Sequence, residues 1–363
     1  MTALTPGRFD SARNVIAARL RPLADRWRAF SETRFGSLLT RTFGTNAAWI
    51  FVLLVVLMVI FNAMAPGKFL TEFNVRSMAE NVAVLLVIAV GETFVMATGG
   101  IDLSVGYVLL FSSVTSAQAM NWGGKDPTNS GWDLVLLGLA VAVGSGFAWG
   151  VINGVVVAKA KVPALIATLG TLGMSWGLAE ILSNGQDLRY LPSIIADMGS
   201  SRVIFDKVPL VVVVAIIVAA LGGVILAFTR FGRYTLAIGS NQEAARRAGI
   251  NVDRHLIKVY ALSGTLAGFA GFMSLAIFPT TTISGHANDN LQAIAAVVIG
   301  GTSLVGGVAT VIGTTIGVCI PMVLFSGFTI LGYQSFWRDV AVGAVLILAV
   351  YTDQLRRRRR ERR

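Results

Sequence analysis

The chain has 363 residues, of which 55% are hydrophobic and only 13% are charged, and its mean hydropathy is +0.71. This composition excludes an ordinary water-soluble globular domain and predicts an integral membrane protein with several spans. The net charge of +11 is compatible with nucleic-acid binding as well as with a membrane protein, so the position of the basic residues decides between them.

The excess positive charge lies at the two ends of the chain. Residues 1–45 hold eight Arg against three acidic residues, residues 354–363 hold seven Arg against one, and the segment between them is neutral. Basic segments that flank membrane spans stay on the cytoplasmic side, where anionic headgroups attract them by about 1 kcal/mol per residue. We interpret both ends as cytoplasmic tails at the lipid bilayer and expect no nucleic-acid partner, although Arg356–Arg360 is the segment that such a partner would use.

Apolar segments long enough to cross a bilayer follow the N-terminal tail. Residues 1–45 are too rich in Arg to be a cleaved signal peptide, so the first span is expected to remain in the mature protein. A membrane helix needs about 20 apolar residues, with a range of about 17 to 25. Ten segments meet this criterion: 46–64, 82–98, 103–120, 134–157, 164–183, 209–229, 257–278, 289–305, 308–328 and 335–353.

An even number of spans places both termini on one side of the membrane, in agreement with the two basic tails. The basic connections at 159–161 and 230–258 fall on that same side. The sequence therefore predicts an all-α integral membrane protein of about ten transmembrane helices, with a membrane domain at 46–353, a cytoplasmic loop at 230–256 and both termini in the cytoplasm.

Two pairs of adjacent spans, 82–120 and 289–328, are joined by so few residues that full crossings are not assured. Half-helices that turn within the membrane are the alternative, because irregular backbone is tolerated there when it is buried in protein or lines a wet cavity. The two breaks have related sequences at 99–103 and 300–304, which is weak evidence for an internal repeat. We predict that the break glycines act as gates or hinges that let helices pack closely and slide: Gly99, Gly100, Gly106, Gly300, Gly301, Gly306 and Gly307.

Polar residues near the first break are candidates for a solute path. Glu92 lies within a predicted span, where a charge costs roughly 2.5 to 3.5 kcal/mol, so it must be neutralised, paired or open to water. Carboxylates and hydroxyls suit a neutral polyhydroxylated solute, whose hydroxyls both donate and accept hydrogen bonds. A purely structural role is the alternative, and for Asp102 we favour an N-cap of the helix that opens at Leu103. The predicted path residues are Glu92, Thr93, Phe94, Asp102 and Ser104.

The cytoplasmic loop at 230–256 is predicted to contain a short amphipathic helix. It has a polar N-cap, an acid in the first turn, bases in the last turn and a terminating glycine, namely Ser240 or Asn241, Glu243, Arg246 with Arg247, and Gly249. Such a helix suits docking by another protein, although an ordinary surface helix has the same composition.

Three motifs together identify a family: Gly99–Gly106, Ile294–Leu304 and the Gly232–Gly249 loop. They closely resemble, in the same order, the ribose and xylose permease family of ABC importers, and the resemblance covers nearly all of 46–353. It implies a fold similar to type II importer permeases such as the vitamin B12 permease, in the bacterial inner membrane. It also implies a homodimer that receives a pentose, hexose or related polyol from a periplasmic sugar-binding protein and is driven by a separate cytosolic ATPase.

The resemblance also assigns roles to individual positions. The coupling helix of the family maps onto Ser240, Asn241, Glu243, Ala244, Arg246, Arg247 and Gly249. Where the family carries Glu-Leu-Asp at the mouth of the eighth span, this chain has Asn290-Leu291-Gln292, so two acids are replaced by amides. Asn290 and Gln292 are therefore added to the predicted path, and the identity of the sugar stays open.

The sequence contains no Walker A motif for binding and hydrolysing ATP. Gly67-Lys68 is followed by Phe69 and Gly124-Lys125 by Asp126, so neither continues a Walker A pattern. We therefore expect a transport subunit that is not an enzyme and binds no cofactor, with ATP and Mg used by the partner ATPase.

Two other classes of function are compatible with parts of the sequence. An ion-coupled secondary transporter of a small polar solute is the main alternative, because Glu92 could carry a proton and broken helices are common in such carriers. The loop helix argues against it, since a self-sufficient carrier does not need a docking element. A membrane-embedded enzyme has little support, because the sequence shows no clustered His, no metal-ligand pattern, no thiol pair and no nucleophile with an adjacent base.

Overall fold

The structure is a computed structural model that describes residues 45–121, 131–189, 191–204, 207–281, 285–286, 288–334, 336–337, 340–344, 347–348 and 351. The chain divides into two compact units, Met1–Ala48 and Trp49–Arg363, and the second contains the helical membrane domain. The predicted tails are 1–45 and 354–363, and of their residues only Thr45 lies within the described part of the chain.

The described residues fold into α-helices joined by short connections, with one small β-hairpin. The helices are α1 Thr45–Met64, α2 Glu72–Ala97, α3 Val105–Asn121, α4 Trp132–Ala158, α5 Ala164–Ser183, α6 Ser193–Ser200, α7 Leu210–Phe228, α8 Arg230–Ser240, α9 Gln242–Arg247, α10 Val252–Ile277, α11 Asp289–Ile299 and α12 Val311–Ile330. The hairpin pairs β1 Arg202–Ile204 with β2 Val208–Pro209 in antiparallel fashion. The tenth predicted span, 335–353, lies partly outside the described residues and is helical at each described position from Phe336 onward.

Seven of these helices, α1, α2, α4, α5, α7, α10 and α12, are long and apolar enough to cross a membrane. They correspond to seven of the predicted spans, and they confirm a mostly helical, multi-pass membrane protein. Large apolar side chains such as Ile166 and Leu221 are exposed on their outer faces, as helices in lipid require.

Of the three other predicted spans, the two that lie within the described residues, 103–120 and 289–305, are shorter helices. Helix α3 has 17 residues and α11 has 11, which at 1.5 Å per residue correspond to about 25 Å and about 16 Å. The predicted span at 289–305 is therefore helical only as far as Ile299, about half the 30 Å of a bilayer core. Of the two alternatives left open for this segment, the structure favours the half-helix.

The short helices α8 and α9 mark one end of the bundle, called here the α9 end. At this end Ala245 of α9 packs in one buried cluster with Ala158 from the end of α4 and Val252 from the start of α10. The amide of Gly307 donates to the carbonyl oxygen of Ala97 at 3.0 Å, so α2 also finishes here. Both glycine breaks therefore lie at the α9 end.

Helices α4 and α10 form the closest helix pair of the core through small residues. A Cβ on Gly150 would lie 2.9 Å from the Cα of Ala261, and a Cβ on Gly146 would lie 2.7 Å from the Cα of Gly268. Glycine at these positions lets the two backbones approach directly, which is the usual way that membrane helices pack. Gly144, two residues from Gly146, has no heavy atom within 4 Å of its Cβ position and faces outward.

Candidate functional site

The two glycine breaks begin with the same helix-ending turn. At Gly99, φ is +84° and the amide donates to Met96 O at 2.9 Å. At Gly301, φ is +88° and the amide donates to Val298 O at 2.9 Å. Both are left-handed glycine terminators. The turn matches Gly99 with Gly301, whereas the sequence motifs pair Gly99 with Gly300, so the similarity is local and does not establish a duplication.

The two predicted acids of the path are hydrogen bonded to the same short segment. Glu92 Oε1 accepts from the amide of Asp102 at 3.1 Å. Asp102 Oδ1 accepts from the amide of Ser104 at 2.9 Å and from its hydroxyl at 2.6 Å, directly before α3 begins at Val105. Because α3 begins at Val105, this contact forms a turn before the helix, and the N-cap of a helix opening at Leu103 that was expected of Asp102 is not present.

The same network continues across two further helices. Asn153 of α4 donates its side-chain amide to Ser104 Oγ at 2.8 Å, and Thr171 of α5 donates its hydroxyl to Asn153 Oδ1 at 2.6 Å. All three side chains are buried. Asn153 and Thr171 were not identified from the sequence, although an Asn within an apolar span was a usable signal because polar side chains there need a partner.

Three buried polar atoms beside this network have no hydrogen-bond partner among the described residues. They are Glu92 Oε2, Tyr260 Oη and Ser263 Oγ. The Tyr260 hydroxyl approaches the first break so closely that a Cβ on Gly100 would lie 2.5 Å from it. Buried polar groups are nearly always paired, so these three atoms are unused hydrogen-bonding groups next to the network.

Thr93 and Phe94 face other neighbours than Glu92 does, because successive residues of a helix point about 100° apart. The hydroxyl of Thr93 bonds Ala89 O at 2.7 Å and lies 2.8 Å from the hydroxyl of Thr314 in α12. The ring of Phe94 packs 5.9 Å from that of Phe231 in α8. The structure therefore brings together Glu92, Asp102 and Ser104, and turns Thr93 and Phe94 toward α12 and α8.

The two amides at the start of α11 differ in their surroundings. Asn290 is buried and donates its side-chain amide to Leu103 O at 3.0 Å, which joins α11 to the first break. Gly106 permits this approach, since a Cβ there would lie 2.9 Å from the Asn290 amide nitrogen. Gln292 is half-buried. Of the two, only Asn290 has a hydrogen bond to the first break in the described part of the chain.

The break glycines pack against each other and against α8 through backbone atoms. A Cβ on Gly306 would lie 2.7 Å from the amide nitrogen of Gly99 and 2.9 Å from the Cα of Gly239. Gly239 in turn lies directly against the Ala97 carbonyl, which also accepts from Gly307. Gly239 was not among the predicted glycines, because nothing local in its sequence shows that α8 reaches both breaks.

The predicted loop helix is present as α9. Asn241, rather than Ser240, is its N-cap, because Asn241 Oδ1 accepts from the amide of Ala244 at 2.9 Å. Gly249, at φ +83°, ends the helix and donates its amide to Arg246 O at 3.0 Å. The caps expected from the sequence are therefore confirmed, with the choice between the two N-cap candidates resolved.

The surface of α9 is exposed on one side and anchored on the other. Glu243 and Arg247 are 67% and 79% exposed and pair with each other at 3.2 Å. Asp253, in the first turn of α10, pairs with Arg246 at 2.7 Å and with Lys161 at 2.8 Å. The carboxylate of Asp253 therefore ties α9 to the connection between α4 and α5.

A serine, a histidine and an aspartate meet near the start of α11. Ser274 Oγ lies 3.0 Å from His286 Nε2, and His286 Nδ1 lies 2.7 Å from Asp289 Oδ2. The expectation that no nucleophile has an adjacent base was wrong in this respect, because the three residues come from separate elements. Ser274 is only 2% exposed, so its hydroxyl links α10 to the start of α11 and offers no open attacking group.

Comparison with known proteins points to one kind of protein. Residues 74–350 match the family described as the permease component of the branched-chain amino acid transport system. The chain is 35% identical to the ribose import permease of Escherichia coli over 306 residues, 83% of this chain and 92% of that protein. It is 36% identical to the ribose import permease of Bacillus subtilis over 304 residues, with 84% and 91% covered. For the fructose import permease of Rhizobium meliloti the identity is 33% over 309 residues, with 84% of each covered. No solved structure matches the chain.

Proposed function

The chain belongs to this family of inner-membrane permeases of ABC importers, and on that premise we propose that it conducts a monosaccharide or related polyol into the cytoplasm. The names of the relatives support a sugar, since they include ribose and fructose import permeases. Permeases of this kind work with an ATPase and a periplasmic binding protein. The proposed assembly contains two copies of this chain, with ATP and Mg bound by the ATPase alone and no cofactor bound by the permease.

We propose that the cytosolic ATPase grips α9 through Ser240, Asn241, Glu243, Ala244, Arg246, Arg247 and Gly249. The exposure of Glu243 and Arg247 supports this docking role. The orientation follows from it: the α9 end faces the cytoplasm, both basic tails lie there, and the chain crosses about ten times. The proposed boundaries remain 1–45, 46–353 and 354–363.

The observation that carries the proposed mechanism is the contact of Gly239 with both glycine breaks. Gly239 precedes α9 by only three residues and lies against Ala97 O and Gly306. A displacement of α9 by the ATPase therefore reaches both breaks through the backbone. The glycines at 99, 100, 106, 300, 301, 306 and 307 have no Cβ atoms to obstruct sliding at these close contacts.

The proposed solute path runs beside Glu92, Thr93, Phe94, Asp102, Ser104, Asn290 and Gln292. The unpartnered atoms Glu92 Oε2, Tyr260 Oη and Ser263 Oγ support it, because sugar hydroxyls could satisfy them when the breaks separate. In the described conformation the buried network holds this part of the path closed.

Reconstitution into proteoliposomes tests the function. Purified permease, ATPase and binding protein are expected to take up labelled D-ribose, D-fructose or L-arabinose only when ATP is present. Uptake driven by an ion gradient, with the permease alone and no ATP, would overturn the proposal in favour of a secondary transporter.

The docking assignment has its own test. Glu243→Trp and Gly249→Trp are expected to uncouple ATP hydrolysis from uptake while membrane insertion stays normal. Arg202→Trp, an exposed change in the hairpin before α7 at the opposite end of the bundle, is the matched control. Normal uptake by both α9 variants would show that the ATPase docks elsewhere.

A further inference from the structure

A cavity of about 220 Å³ lies beside the N-terminus of α11, next to the buried polar network but separate from it. It is bounded by α2, by α12 and by the segment that joins α10 to α11. Its lining includes Asn81, Leu85, Phe278, His286, Asp289 and Met322. None of these six was singled out as part of the path from the sequence.

The cavity lies between the middle of the membrane domain and the end opposite α9. Phe278, which lines it, follows the last residue of α10 at that opposite end, where Ala276 lies against Gly199. Helix α11 runs from Asp289 to Ile299 at the α9 end, and its 11 residues cover about 16 Å, or half of a bilayer core of about 30 Å. Leu85 and Met322 also occupy the middle of their helices. Substrate sites of membrane carriers are commonly built where a half-helix begins.

The cavity offers oriented polar groups. The carboxylate of Asp289 is fixed by His286, which is itself held by Ser274, so only Asp289 Oδ1 is left without a partner in the described chain. Asn81 donates its side-chain amide to Ser77 O at 2.8 Å, which leaves Asn81 Oδ1 as an acceptor. Two acceptors at fixed positions suit a solute that donates several hydrogen bonds.

The rest of the lining is apolar. The ring of Phe278, the thioether of Met322 and the side chain of Leu85 supply a hydrophobic wall. A small ligand site is typically such a wall with a few convergent polar groups. The volume equals that of about seven water molecules at about 30 Å³ each, which is the size of a small polar solute.

We propose that this cavity is a solute-binding site on the transport path, and that it takes a neutral polyhydroxylated molecule the size of a monosaccharide. The Asp289 and Asn81 oxygens accept its hydroxyls while its carbon face packs on Phe278. Asn290, adjacent to Asp289, bonds Leu103 O and so separates the cavity from the Glu92–Asp102 network. This inference rests on the proposed import function and adds the place at which the solute pauses.

Thiol labelling tests the site independently of transport. Cys319 is the only cysteine in the sequence, so Cys319→Ser gives a cysteine-free background into which Met322→Cys can be introduced. Val323→Cys in the same background is the matched control, because Val323 packs in a separate cluster with α1 residues. In the permease–ATPase complex, a hydrophilic thiol reagent is expected to modify position 322 and not 323. D-ribose, D-fructose or L-arabinose at high concentration is expected to slow this modification about tenfold.

Lack of labelling at 322, or labelling that none of the three sugars slows, would overturn the inference. Slowing by L-leucine but by none of the sugars would overturn it as well, because the cavity would then bind a zwitterion and not a polyol.

Transport by the reconstituted complex gives the second test. Asp289→Asn and Phe278→Leu are expected to lower sugar uptake about tenfold, the effect of losing one hydrogen bond to a charged group or one packing surface. Asp133→Asn and Phe73→Leu, both exposed at the ends of other helices, are the controls. Normal uptake by both cavity variants would overturn the site while the import function stands. A wild-type complex without ATP-dependent uptake would instead overturn the function itself.

Discussion

The backbone amide of Gly307 donates to the carbonyl oxygen of Ala97 at 3.0 Å, so the second glycine break is bonded to the end of the helix that leads into the first. Gly239 of α8 lies against the same carbonyl. Backbone contacts of this kind contain no flexible side chain that could absorb a displacement. In the proposed mechanism, the junction of Ala97, Gly239 and Gly307 is therefore the point at which motion of α9 would reach both glycine breaks.

Substituting Gly239 with Ala tests this junction. The added Cβ would meet the Ala97 carbonyl and the amide of Gly307, and overpacking of this kind costs about 1 to 3 kcal/mol. We expect Gly239→Ala to lower the Tm of the purified permease and to abolish most ATP-dependent uptake.

Gly223→Ala is the control, because a Cβ there would make an ordinary 3.8 Å contact with Val311. Both changes gain the same helix propensity, so the difference between them isolates the clash. Wild-type uptake by Gly239→Ala would show that α8 and the breaks do not move as one unit.

The ion pairs of Asp253 are expected to act on coupling more than on stability. Asp253 joins Arg246 of α9 to Lys161, and exposed pairs of this kind contribute at most about 1 kcal/mol to folding. We predict that Asp253→Asn leaves Tm almost unchanged but raises the ATP consumed per sugar imported. Measuring hydrolysis and uptake in the same proteoliposomes checks this.

Glu80→Gln provides the matched control, because Glu80 pairs with Arg76 at 2.8 Å on the part of α2 far from α9. Equal coupling in Asp253→Asn and Glu80→Gln would mean that the Asp253 pairs are ordinary surface contacts.

The features that sequence alone predicted are those determined by neighbouring residues. The caps of α9 depend on Asn241 and Gly249, each within three residues of the group it satisfies, so composition was enough to find them. Long apolar helices follow from hydropathy in the same way, and seven of them are present.

The features that sequence alone did not predict depend on contacts between distant segments. Asn153 meets Ser104 across 49 positions, and Gly239 reaches the breaks only because α7 and α8 fold back against α2. The serine and histidine near α11 were missed for the same reason, since Ser274 lies on α10 and His286 follows in the next connection. The early end of α11 at Ile299 follows from the turn at Gly301, whose left-handed conformation hydropathy does not report.

The Glu92 carboxylate can be tested by two substitutions of different chemistry. Glu92→Gln keeps an oxygen that can accept from the Asp102 amide, whereas Glu92→Leu leaves that buried amide unpaired at a cost of about 1 to 3 kcal/mol. We expect Tm to fall much further for the Leu variant than for the Gln variant. Unchanged uptake by Glu92→Gln would show that transport does not need the charge of Glu92, and that the residue serves packing and not the solute path.

The pairing of α4 with α10 yields a prediction with an internal control two residues away. Gly146 faces α10, where a Cβ would lie 2.7 Å from the Cα of Gly268, and Gly144 faces outward with no heavy atom within 4 Å. The atoms that a side chain on Gly146 would meet are backbone atoms of Gly264 and Gly268, which cannot rotate aside. Gly146→Val must therefore separate the two helices, and we expect it to lower the free energy of unfolding by about 1 to 3 kcal/mol or more, the range for overpacked cores. Gly144→Val adds the same apolar volume toward lipid and should leave both the yield of folded protein and its Tm near wild type. Thermal unfolding of the two variants in detergent measures the difference, and equal Tm values would show that α4 and α10 do not meet through this glycine face.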